Sequence, residues 1–168
     1  MAFSIYDASI PPMISMLTNL SKIIDKAVAQ AKSQDMPLSD LLEARLATDM
    51  HPLPRQIQIA SDAAKGCAAR LIGDETPSFA DTETTFPELQ DRIAKTIAYL
   101  KSVDAGKFEG AEDRTITIKT PNRTFEMKGS QFVTNFALPN FYFHVTTAYG
   151  LLRSKGITIG KMDYLGGV

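Results

Sequence analysis

The sequence predicts a mainly α protein: a four-helix bundle with one short extra helix and a small β-hairpin just before the last long helix. Two observations carry this. Apolar residues return every three or four positions along four long segments, which is the period of a helix with one buried face. Only the stretch from Thr115 to Lys128 changes to alternation, the period of a strand, and two strands are too few for a sheet protein. A length of 168 residues fits one domain, 1–168, able to bury about two-thirds of its unfolded surface.

The first long helix is expected from Ile10 to Ala31, because Ile10, Met13, Ile14, Leu17, Leu20, Ile23, Ile24, Ala27 and Val28 share a face. Pro11 and Pro12 fit its first turn. Ser39 is expected to cap a short connecting helix carrying Leu41, Leu42, Ala44, Leu46 and Ala47. The second long helix starts near Pro52 and Pro54, carries Leu53, Ile57, Ala60, Ala64, Cys67, Ala68, Leu71 and Ile72, and stops at Gly73. An aperiodic polar segment, 74–85, reads as a loop. Thr84 or Thr85 then caps the third long helix, which opens at Pro87 and runs through Leu89, Ile93, Ile97, Leu100 and Val103. Residues 115–119 and 124–128 pair as a hairpin around a turn at 120–123. The fourth long helix is expected from Ser130 to Lys155, kinked at Pro139 and ended by Gly156, with no clear element in the tail after it.

Composition narrows the function. Apolar residues make up 44% of the chain and charged residues 22%, which argues against disordered and fibrous classes. Eighteen basic against nineteen acidic residues leave a net charge of −1 with no basic run, so nucleic acid is not an expected partner. No apolar run reaches the length of a membrane span, so no membrane partner is expected either. One cysteine, Cys67, and an N-terminus without a basic signal-like region point to a cytoplasmic setting. Cys67 itself reads as a small core residue among alanines. Phosphate-binding glycine loops, nucleophile elbows and paired-cysteine motifs are missing.

Two helices carry residues suited to chemistry. On the second, Arg55, Gln58, Asp62 and Lys65 form a polar stripe, with His51 at the helix entrance. On the fourth, six of the chain's fourteen Phe and Tyr residues lie within eighteen positions, so its polar residues need partners. Asn140, His144 and Thr147 share one face there. Side-by-side packing would place Gln58 and Asp62 opposite Asn140 and His144, where bundles build their sites. In that reading His144 and Asp62 are the catalytic pair, Asp62 fixing the imidazole tautomer, while Asn140, Gln58, Thr147 and His51 bind a small molecule.

The runs ALPNFYFHVTTAY (137–149), QIQIASDAAK (56–65) and IGKMDYLG (159–166) resemble an uncharacterised domain-of-unknown-function group in the DinB/YfiT-like superfamily. The resemblance spans nearly the whole chain and implies a DinB-like four-helix bundle. Many relatives hold a metal on three histidines, one from the second helix and a His-x-x-x-His pair from a later one; some are thiol-dependent transferases or isomerases. Here the pair reads Asn140-x-x-x-His144, and the second helix offers Gln58 and Asp62 with His51 at its entrance, so the triad is incomplete and no metal ligands or cofactor are assigned.

Three readings follow. The first is a small-molecule site between the second and fourth long helices, supporting a transferase or isomerase type of reaction. The second is a non-enzymatic, partner-binding homo-oligomer whose polar cluster only fixes packing. The third is a divalent-metal enzyme like its relatives. A homodimer is expected because the fourth helix is more apolar than one bundle face requires, and because relatives are often dimeric.

Overall fold

The computed structural model describes residues 4–119 and 123–167. Four long helices form the bundle: α1 (Ile5–Ser33), α3 (Leu53–Ile72), α4 (Phe86–Ser102) and α6 (Leu138–Ser154). Their order in space follows from their packing. α3 packs on both α4 and α6, and α1 packs on the same two helices from the other side. The buried side chains, Ile10, Leu17, Ile24, Ile57, Ala64, Leu71, Leu89, Leu100, Phe141 and Leu151 among them, form one cluster drawn from all four helices. Each buried Ile, Leu or Phe in this cluster contributes about 1.5–3 kcal/mol of transfer free energy.

The sequence-derived boundaries hold best where a cap is present. Gly73 ends α3 in the left-handed conformation at φ 78, and Thr85 begins α4 with a reciprocal capping box. There the Glu88 carboxylate accepts from the backbone N–H groups of Thr84 at 2.8 Å and Thr85 at 2.9 Å. The hairpin strands, β1 (Thr115–Lys119) and β2 (Thr124–Lys128), pair antiparallel with Thr117 opposite Glu126. Of the expected turn between them, residues 120–122 lie outside the described residues. Gly129 is required where the chain leaves β2, because a Cβ there would come within 1.8 Å of the Ala111 carbonyl oxygen.

Four expectations are corrected. α1 starts at Ile5 rather than Ile10, because Ser4 and Asp7 form a capping box, which puts Pro11 and Pro12 in the helix interior. The price is two missing backbone bonds, to the carbonyls of Asp7 and Ala8, offset by a first turn well capped upstream. The short helix α2 (Leu38–Leu42) follows Pro37, with Ser39 inside it and no helix beyond Glu43. The fourth long helix is not continuous: a single turn, α5 (Gly129–Phe132), leads into a π-helical turn, Val133–Ala137, before α6. Pro139 has no N–H for the Asn135 carbonyl and its ring crowds it, and the wider turn takes up that misfit. The tail forms α7 (Lys161–Leu165), which packs on α1 through Asn19 donating to the Tyr164 carbonyl at 3.0 Å and a Lys26–Asp163 ion pair. A short 3₁₀ turn, Ala105–Phe108, was also outside the periodic pattern. Among the described residues no helix is long and apolar enough to cross a membrane.

Candidate functional site

α3 carries two polar faces with different partners. The first meets α6. Gln56, 2% exposed, donates its Nε2 to the His51 carbonyl at 2.9 Å. That bond fixes the amide, so Oε1 is the atom facing α6, and it lies 2.7 Å from His144 Nδ1. An amide oxygen only accepts, so Nδ1 carries the imidazole proton and Nε2 carries the lone pair. Among the described residues Nε2 has no hydrogen-bond partner.

Burial pushes the His144 pKa below its ordinary value, and the charges of His51 and Arg55 add to the effect. The imidazole is therefore neutral at neutral pH. It is half-buried, with the Phe143 ring edge-on to it at 5.1 Å between centroids. Asn140 lies one turn earlier on the same side of α6, half-buried and, among the described residues, without a hydrogen-bond partner for its amide. His51 is exposed at the entrance to α3.

The second face of α3 meets α4 and the 74–85 loop. Arg92 of α4 is inserted there with its side chain only 1% exposed. Its guanidinium reaches Asp62 at 2.8 Å, Asp81 and Glu83 at 2.9 Å, and the Ala80 carbonyl at 3.1 Å. Lys65, also buried, bonds Asp62 at 2.9 Å and the Pro77 carbonyl at 2.8 Å, and sits 4.1 Å from the Phe79 ring centroid. Arg55 pairs with Asp81 and also donates to Gln58, whose amide donates to Glu83 at 3.0 Å. Three cations thus face three carboxylates. Burial alone would raise the Glu83 pKa, but bonds from Arg92, from its own backbone and from Gln58 outweigh it and hold the carboxyl below its usual range. For Arg92 burial acts in the opposite sense, and the three carboxylates keep it charged. A cleft of about 370 Å³ between residues 78–83 and α4 opens on Arg92 and Glu83. Both are already committed to each other, and the buried Arg92 Nε is left without a partner among the described residues.

The expected Asp62–His144 pair does not form. Asp62 is six residues beyond Gln56, which sets it about 120° away around the helix, and it binds Arg92 and Lys65 instead. Gln58, about 200° from Gln56, faces Glu83 and Arg55 rather than Asn140. Thr147 is on α6 as expected, but its hydroxyl donates to the Phe143 carbonyl of its own helix at 2.7 Å. The structure therefore joins His144 to Gln56 and through it to the His51 backbone carbonyl, leaves Asn140 one turn before His144 on α6, and places Gln58 and Asp62 in a different network. Gln56 and Arg92 were passed over, although each leaves a signal: a polar residue standing in the apolar register of its helix, Gln56 beside Leu53 and Ile57, Arg92 beside Leu89 and Ile93.

The three-histidine metal site of DinB-like relatives does not fit these residues. The donors at hand are one oriented imidazole, the Asn140 amide and the exposed His51, and the Gln56 oxygen is taken by His144. Amides are weak ligands for zinc or nickel. Among the described residues no three His, Cys, Asp or Glu side chains gather closely enough to hold a metal ion. Cys67 contributes nothing here: it is fully buried, and burial, partly offset by Arg70, pushes its thiol up to about 12.

The domain-of-unknown-function family DUF1993 matches residues 5–165. A crystal structure of a DinB family member protein from Shewanella denitrificans is 43% identical to this chain. It superposes with a TM-score of 0.90, covering 97% of this chain and 92% of that one. No curated protein matches the chain. With its four-helix bundle, its hairpin and a match over almost its full length, the chain belongs to the family of the domain of unknown function DUF1993 and has the fold of a DinB family member.

Proposed function

We propose that this protein binds a small molecule carrying a hydrogen-bond donor at the α3–α6 face, and that His144 Nε2 receives that donor. In a reaction of isomerase or transferase type the same nitrogen accepts the proton as a general base. The observation that supports this reading is the chain of two hydrogen bonds, Gln56 to the His51 carbonyl and His144 to Gln56, which fixes one tautomer and leaves a lone pair on the other ring nitrogen. Such an outer partner is what sets the orientation and basicity of a working imidazole. Asn140 and His51 supply further polar contacts for the ligand, and the depressed pKa keeps the base unprotonated at neutral pH.

A second reading is favoured by the same bond seen as a tie: Gln56–His144 joins two helices and fixes their register without any ligand. A thermal-shift screen of small metabolites, thiols and divalent metals against the wild type and His144→Ala separates the two. A ligand present at 100 times its dissociation constant stabilises by about 2.7 kcal/mol, or about 5–10 °C for a protein of this size. The site reading predicts such a shift in the wild type and its loss in the variant. Shifts that persist unchanged in His144→Ala contradict it, and a fall in stability with no ligand response supports the tie.

A further inference from the structure

The cleft between residues 78–83 and α4, about 370 Å³ in volume, has room for a small molecule. Its α4 wall is built from Glu88, Asp91, Arg92 and Lys95, which follow one another at the three- and four-residue steps that put side chains on one helix face. The loop supplies the half-buried Phe79, over whose ring the Lys65 ammonium sits.

The groups on the α4 wall differ in how far they are occupied. The carboxylates around Arg92 take up its terminal nitrogens, but its Nε–H is buried with no acceptor among the described residues. A buried donor left unmade is costly. Glu88 accepts all its capping bonds on Oε2, which leaves Oε1 over. Asp91 and Lys95 are exposed, and neither side chain has a partner among the described residues. They do not pair with each other, although four residues apart on a helix is the spacing of an ion pair. Unspent acceptors therefore stand at the Glu88–Asp91 end of the wall and unspent donors at the Arg92–Lys95 end. Neighbours of both signs disfavour an occupant that is only an anion or only a cation.

We infer that this cleft is a second small-molecule site, separate from the α3–α6 face, and that it takes a zwitterion of amino-acid type. The ligand's ammonium lies between Asp91 and Glu88 Oε1. Its carboxylate pairs with Lys95 and turns one oxygen toward the Arg92 Nε–H, while its side chain rests against Phe79. Asp91 and Lys95 are about 6 Å apart along the helix axis, a span that an ammonium and a carboxylate on one carbon bridge with an ordinary ion-pair contact at each end. The charges that hold the ligand stand outside the Arg92 hub, whose bonds to Asp62, Asp81 and Glu83 stay as they are.

The test is thermal-shift and calorimetric titration of the full chain with the common free amino acids, one by one, then with N-acetyl and carboxamide forms of those that bind. A free amino acid is expected to bind, and blocking either end abolishes the binding. Asp91→Asn and Lys95→Met alter exposed side chains without partners, so both variants keep the fold, which circular dichroism verifies. Each weakens binding about tenfold or more, whereas His144→Ala leaves it unchanged. In nitrogen-15 spectra the Arg92 Nε–H signal moves as the amino acid is added. Absence of binding by any of the amino acids overturns the inference. So does binding that survives in the blocked forms or in the Asp91→Asn/Lys95→Met double variant, or an Arg92 Nε–H signal that stays in place. Binding that disappears in His144→Ala overturns it too, by putting the ligand at the α3–α6 face.

Discussion

On the α4 side of α3 a buried arginine is surrounded by three carboxylates and a carbonyl; on the α6 side a half-buried histidine has one partner and an unused lone pair. Both are polar clusters in an apolar bundle, and what divides them is saturation. Arg92 spends both terminal nitrogens on groups from α3 and the 74–85 loop, so the cluster ties that loop to two helices and offers a ligand almost nothing. His144 spends one nitrogen on Gln56 and keeps the other, so its bond positions the ring without consuming it. Density of charge is therefore a poor guide to chemistry in this protein, and the unspent valence is the better one.

The largest effect that would break this contrast is expected at Arg92. Replacing it with methionine leaves Glu83 without a cation, while Asp62 keeps Lys65 and Asp81 keeps Arg55, and removing one side of a buried pair costs about 3–5 kcal/mol. Denaturant unfolding of Arg92→Met should show that loss, and a variant as stable as the wild type would show that the hub does not hold the loop. Asp62→Asn sharpens the contrast from the other end. The Asp62 side chain is 42% exposed, and an ion pair open to solvent contributes about 0–1 kcal/mol. Small-molecule binding at His144 should be unchanged in this variant. Loss of binding would return Asp62 to the site from which its geometry removes it.

The bundle was legible because its signals are local and strong. Gly73 and Thr85 act within one turn of the boundaries they set, and the alternation of residues 115–119 has no helical reading. The start at Ser4 is hidden in the sequence because Pro11 and Pro12 mark a first turn, although the Ser4–Asp7 capping box upstream of them sets the boundary. The π-helical turn at Val133–Ala137 depends on how α6 must enter the bundle, which periodicity does not encode. α7 is too short to show a period, and its place is set by α1.

For the site, His144 stood out as a polar residue in an aromatic helix, and it is where the structure leaves a free nitrogen. Its partner was misassigned because the polar stripe of Gln58 and Asp62 looks like the inward face of α3, when a carboxylate and an amide near buried cations turn towards α4. Only the relative rotation of packed helices decides that, and rotation is a tertiary property.

The claim on which the account rests is that His144 is neutral, protonated at Nδ1 and open at Nε2. Nitrogen-15 correlation spectra of the imidazole, followed through a pH titration, report both the tautomer and the midpoint. The account predicts the Nδ1–H tautomer at pH values near 7 and a midpoint below about 6.5, the ordinary histidine value. Because the folded value lies below the unfolded one, the unfolded chain binds the proton first. The stability this residue contributes is then present above about pH 6.5 and is lost as pH falls through the folded value. An Nε2–H tautomer at neutral pH, or a midpoint above the ordinary value, would contradict the account.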